Sequence, residues 1–211
     1  MQAPSLALFA AGLAAALALS SCGSTAPGAS RRSADRLAPA TLYPMIEGAQ
    51  WVYDVDTGGA EPPTLGIFEV VSAEGDRRSI ANNRGMTRDG RVRHGDPVTY
   101  EIAPEGIRHV ASGRWVLRAP IREGAEWEAM GGRTARVVNT DLRVEVVAGT
   151  YEHCVDVEET GGEDGRVVRT VYCPEVGPVL IESRMESRLT TRSVALRARL
   201  RSYDSGAGDE L

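Results

Sequence analysis

The chain has 211 residues, with 24 basic side chains against 29 acidic ones and a formal net charge of −5 at pH 7. That length suits one domain of ordinary size, able to bury roughly 70% of its unfolded surface without a structural metal. The acidic balance excludes nucleic acid as a partner, because phosphate binding is driven by excess positive charge. Every basic residue apart from three histidines is arginine, which removes lysine nucleophiles and Schiff-base chemistry.

Residues 6–19 are Leu and Ala interrupted by one Phe and one Gly. As a helix this run spans ~21 Å, short of the roughly 30 Å hydrocarbon core of a bilayer. A short apolar stretch followed by the small residues Ser20 and Ser21 reads as a cleaved export signal. Leu19-Ser20-Ser21-Cys22 resembles the bacterial lipobox. The resemblance implies a lipoprotein signal peptide over 1–21, thioether lipidation of Cys22, and a membrane partner held through the acylated cysteine. Gly23, where an Asp would mark inner-membrane retention, implies by the same resemblance an outer-membrane location in the cell envelope. The chain departs from the pattern in carrying no Lys or Arg before the apolar run.

Residues 22–41 are rich in Ser, Ala, Pro, Gly and Arg and lack apolar periodicity, the composition of a flexible tether reaching roughly 25 Å as a random coil. The β domain is expected over 42–204. Trp51, Tyr53 and Val55 alternate with Val52 and Asp54 before Thr57-Gly58-Gly59, a strand and its turn. A second strand is read over 65–71. The polar, Asn- and Gly-rich stretch 77–95 predicts a long exposed connection with at most short strands. Short strands at hairpin spacing follow over 98–102, 107–110 and 114–118, then over 125–130, 134–138, 142–147, 150–157, 167–172 and 179–182. Residues 194–203 alternate Val194, Leu196, Ala198 and Leu200 with arginines, favouring a strand, while Leu189, Leu196, Leu200 and Tyr203 also fit a helical stripe. A disordered tail is expected over 205–211.

A dozen short strands without intervening helices define an all-β, mainly antiparallel fold. The expectation is a strongly curved sheet forming a half-barrel or barrel, which hides its edges, with a two-sheet sandwich as the alternative.

Cys154 and Cys173 flank the turn Gly161-Gly162-Glu163-Asp164-Gly165. With Glu163 and Asp164 at its centre, paired positions sum to 327 and the two cysteines face one another, at a separation that suits a disulfide in an exported protein. Tight C-x-x-C redox geometry is absent. His153 and Cys154 are neighbours on one strand, so they point to opposite faces and cannot share a metal ion. His94, His109 and His153 lack metal-site spacing, Asp54-Val55-Asp56-Thr57-Gly58 lacks the terminal Glu of a calcium loop, and no hydrolase elbow or phosphate loop occurs. No catalytic residue, metal site or cofactor is expected. Trp51, Trp115 and Trp127 each lie in an alternating strand. They are candidate lining residues of a concave ligand site, against the plainer reading that they fill the core of a Phe-poor protein.

Tyr43-Pro44 with Gly48-x-x-Trp51-x-Tyr53, Trp115 to Pro120 with Gly124-x-x-Trp127, Ala148-Gly149-Thr150-Tyr151-x-x-Cys154, and Tyr172-x-Pro174-x-Val176-Gly177 resemble a group of uncharacterised secreted bacterial lipoproteins over about 42–182. That group is similar at the level of fold to curved-sheet lipoprotein carriers of the LolA and LolB type. The resemblance implies a non-enzymatic envelope lipoprotein that binds an apolar or amphipathic ligand or a protein partner. A structural or assembly subunit and a hydrolase are the alternatives.

Overall fold

The computed structural model describes residues 35–59, 62–86, 88–89, 92–186 and 193–206. The expected signal peptide, Cys22, most of the expected tether and the last five residues of the expected tail lie outside the described residues. Among the described residues the elements are a short α-helix, a single 3-10 turn and thirteen strands: α1 (Pro39–Leu42), β1 (Gln50–Asp56), β2 (Thr64–Glu74), β3 (Arg77–Met86), β4 (Val92–His94), β5 (Val98–Ala103), β6 (Gly106–His109), β7 (Arg114–Arg118), β8 (Glu126–Glu128), the 3-10 turn (Met130–Gly132), β9 (Thr134–Val146), β10 (Gly149–Thr160), β11 (Arg166–Cys173), β12 (Gly177–Glu186) and β13 (Ser193–Asp204).

All strand pairs are antiparallel and belong to one sheet in the order β7-β6-β5-β3-β2-β1-β13-β12-β11-β10-β9-β8, with β4 pairing β3 beside this path. The sheet curls until its edge strands β7 and β8 approach one another, nearly closing a barrel, and an ion pair between Arg114 and Glu128 bridges the seam. A single sheet of this shape replaces the two-sheet alternative. Its curvature brings strands far apart in the order, such as β12 and β5, onto a common interior.

Three expectations need correction. The stretch 77–95 is not a long connection: β3 runs ten residues and pairs β2, β4 and β5. Its polar composition misled because, among the described residues of the stretch, only Ile80 and Ala81 are buried, while Asn82 borders an open cavity. The segments 134–138 and 142–147 form one strand, β9. It bends with β10, whose register slips around His153, a residue held at φ 60. The folded unit also begins before Leu42. Pro39 is buried, Leu37 packs on the core, and the Glu175 N–H donates to the Thr41 carbonyl. Its Pro and Ala content resembles a linker, but the segment caps one end of the barrel. Residues 193–204, ambiguous in sequence, are strand β13, with Ala198 and Leu200 turned to the core.

The core follows the inward positions: Trp51, Tyr53, Val70, Ile107, Leu117, Val137, Val157, Val179 and Leu200 are buried. At the capped end, Leu42 and Met45 are buried, and Arg78 Nε donates to the Met45 carbonyl at 2.9 Å.

Candidate functional site

The aromatic-rich interior is not filled. A cavity of about 230 Å³ lies between β1, β2, β3, β5 and β12, lined by Tyr43, Trp51, Tyr53, Phe68, Ile80, Asn82, Asp96, Val98, Tyr100, Pro178 and Ile181. Strand register explains the convergence. Trp51 opposes Phe68, Phe68 opposes Asn82 and Ile80 opposes Val98, so one face of four strands supplies most of the lining. Tyr43, just after α1, forms the floor. Its ring meets Trp51 edge-on at 5.4 Å and Tyr172 at 6.1 Å.

The lining rings are fixed. Trp51 Nε1 donates to the Val176 carbonyl at 2.6 Å, and Tyr53 Oη donates to the Pro178 carbonyl at 2.7 Å. Trp51 also stacks on Tyr203 at 5.5 Å, and Tyr53 meets Phe68 edge-on at 6.0 Å. Burial raises the Tyr43, Tyr53 and Tyr100 phenols above their ordinary range, so these rings stay neutral at physiological pH. Phe68 and Val98 are exposed despite their inward position, because they border the opening.

Asp96 reaches the cavity through an interruption between β4 and β5. Gly95 donates its N–H to the Asn82 carbonyl, and a side chain at Gly95 would collide with the Asn82 and Arg84 side chains. Pro97 has no N–H to continue the ladder. The strand therefore breaks there, and the Asp96 side chain lines the opening.

The structure separates the three tryptophans named from sequence. Trp51 lines the cavity. Trp127 is 4% exposed in the core, and its indole N–H has no hydrogen-bond partner among the described residues. Trp115 is half-buried, with the Arg108 and Arg118 guanidiniums 5.9 and 5.7 Å from its ring centre. Sequence reasoning did not assign Tyr43, Tyr53, Phe68 and Tyr100 to the lining. The period-two run over β1 carried the signal for Tyr53, whereas the others meet it only through long-range pairing.

Cys154 and Cys173 form a disulfide, with Cα atoms 4.2 Å apart, and Val155 pairs Tyr172 in the register whose positions sum to 327. The three histidines lie in separate places, His94 near Glu69, His109 near Ser112 and His153 near Asp141. Among the described residues no cluster of three His, Cys, Asp or Glu side chains could hold a metal ion. No helix among them is long and apolar enough to cross a membrane.

Two further concavities are more open. One, of about 430 Å³, is polar and bordered by Asp56, Arg169, Glu182, Arg184 and Arg197. Here Arg169 holds the buried Asp156 through three contacts of 2.9–3.1 Å and reaches Glu182 at 3.1 Å, while Arg197 Nε donates to Glu182 at 2.6 Å. The other, of about 340 Å³, is lined by Leu37, Ala38, Pro39, Pro104, Ala119, Pro120 and Ile121 beside the capped end.

The fold and site define an antiparallel, nearly closed β-barrel, capped at one end and holding an aromatic cavity. No protein-family model and no curated protein matches the chain. Among solved structures, it is similar to a candidate exported protein with a YmcC-like fold from Bacteroides fragilis, at 14% identity and TM-score 0.49, over 77% of this chain and 98% of that one. It is also similar to a candidate lipoprotein from Parabacteroides distasonis, at 11% identity and TM-score 0.45, over 78% and 98% of the two chains.

Proposed function

We propose that this protein is a non-enzymatic lipoprotein of the cell envelope, anchored in the outer membrane through acylated Cys22, that binds one end of an apolar or amphipathic ligand inside its barrel. The observation that carries the binding reading is the cavity of about 230 Å³ floored by Tyr43 and walled by Trp51, Tyr53, Phe68 and Tyr100. Ligand pockets typically measure roughly 300–1,000 Å³ and combine apolar walls with few polar groups. This cavity has that chemistry at a smaller size, which suits part of a longer molecule rather than the whole of one. The anchoring reading rests on Leu19-Ser20-Ser21-Cys22.

Native mass spectrometry of the protein purified from its own envelope tests the binding. The expected result is a non-covalent small-molecule adduct that disappears in Val98→Trp, which fills the mouth, with the melting temperature unchanged. Absence of any adduct, together with failure to take up apolar probes, would overturn it. Cys22→Ser is expected to abolish acylation and membrane fractionation. A variant still carrying acyl groups would refute the anchor.

A further inference from the structure

We infer that the cavity selects an organic ammonium group on a short apolar stem, with Asp96 as its counter-charge. The inference rests on the binding reading above and specifies its chemistry. Five aromatic rings border the space, from Tyr43, Trp51, Tyr53, Phe68 and Tyr100, and among the described residues the one charged lining side chain is Asp96. Among the described residues no arginine lines it, although the chain has 24 arginines.

Aromatic faces carry the negative part of the ring quadrupole and attract cations, most strongly where water is excluded. The positive ends of the polar side chains are already committed. The Trp51 N–H points to the Val176 carbonyl and the Tyr53 O–H to the Pro178 carbonyl. What these two residues offer the cavity is ring surface, not donors.

Asp96 supplies the second half of the argument. The break at Gly95 and Pro97 sets it at the opening, and neither a hydrogen bond nor an ion pair among the described residues engages its carboxylate. Asp96 is exposed at the rim, whereas some other carboxylates of this arginine-rich surface are paired, as Glu101 is with Arg108, Glu182 with Arg197 and Asp54 with Arg201. An anionic head would meet Asp96 with no cation in the described lining to offset it, and a neutral head would leave the carboxylate without a counter-charge. An ammonium head satisfies both, with its stem against Ile80, Val98 and Ile181.

The test is calorimetric titration of the full lipidated chain in nanodiscs, with empty discs as blank, using hexyltrimethylammonium, hexanol and hexanoate, which share one stem. The ammonium probe is expected to bind about fivefold or more tighter than hexanol, and hexanoate weakest. Asp96→Asn should erase the preference while leaving the circular dichroism and the affinity for hexanol unchanged. Equal binding of the ammonium and hexanol, or an unaltered preference in Asp96→Asn, overturns the ammonium assignment and leaves the binding reading standing. Failure of all three probes overturns both. Repeating the titration in discs containing phosphatidylethanolamine separates two sources of the same chemistry. Weakened probe binding marks the lipid headgroup as occupant and unchanged binding marks a water-borne amine, and either result supports the ammonium assignment.

Discussion

The indole N–H of Trp51 and the carbonyl oxygen of Val176 are hydrogen-bonded at 2.6 Å across 125 residues of sequence, tying β1 to the turn that precedes β12. The neighbouring Gly177 sits at φ +100, and a Cβ there would lie 3.1 Å from Trp51 Nε1 and 3.2 Å from a Tyr43 ring carbon. Trp51→Phe should therefore cost ~1–3 kcal/mol by leaving the Val176 carbonyl without its donor. Gly177→Ala should cost a similar ~1–3 kcal/mol through backbone strain and crowding. Urea denaturation of both single variants and the double variant checks this. The two losses should not add, because both act on the same indole.

The Cys154–Cys173 bridge closes a loop of 19 residues. In the chain-entropy account that constraint stabilises by ~3 kcal/mol. Cys154→Ala/Cys173→Ala is expected to unfold at lower denaturant concentration by about that amount. Reductant should shift the wild type in the same direction and leave the double variant unmoved. A wild-type midpoint indifferent to reductant would count against a stabilising bridge.

Burial alone would raise the Glu182 carboxyl, but hydrogen bonds and charge from Arg197 and Arg169 outweigh it and hold the group below its usual range. A carboxylate depressed in the folded state contributes stability that is present above its unfolded pKa, about 4.3, and is lost as pH falls through the folded value. Denaturation midpoints measured between pH 7 and pH 3 should fall more steeply for the wild type than for Glu182→Gln. Parallel slopes would remove Glu182 from the acid response.

All six tyrosines are shifted upward, in each case chiefly by burial. Raised phenol pKa values contribute stability that is complete below the unfolded value near 10 and is lost as pH rises beyond it. A spectrophotometric titration should show phenolate absorbance lagging behind that of the unfolded chain, then rising steeply as the barrel opens. Phenolate appearing around pH 10 in a still-folded chain would contradict the packing around Tyr43, Tyr53 and Tyr172.

Local patterns made much of the sheet legible. The period-two run from Trp51 to Val55 marked β1, and the Gly-rich turn at 161–165 fixed a register that placed Cys154 opposite Cys173. The cavity was not legible to the same degree. Phe68, Val98 and Tyr100 share a face with Tyr53 through the register of β1, β2, β3 and β5, and β12 closes the space only because the sheet curls, a curvature that depends on bulges, such as the one beside Tyr53, rather than on composition. β3 was hidden for a related reason. A strand bordering an opening buries few side chains, so Asn82, Asn83 and Arg84 read as loop. The strand alternation that suggested three equivalent tryptophans did not show that Trp115 would lie beside two guanidiniums and Trp127 in the core.

The cap formed by α1 gives the barrel a direction. Thr41 binds the turn before β12 and Met45 binds Arg78 at the start of β3, whereas Asn82 and Asp96 border the opening further along the strands. The described chain enters at Asp35, beside the sealed end. The chain therefore joins the barrel at its base and leaves the rim clear, as a stem joins a cup. A molecule passing the rim would leave the α1 cap and its bonds to β3 and to the turn before β12 undisturbed.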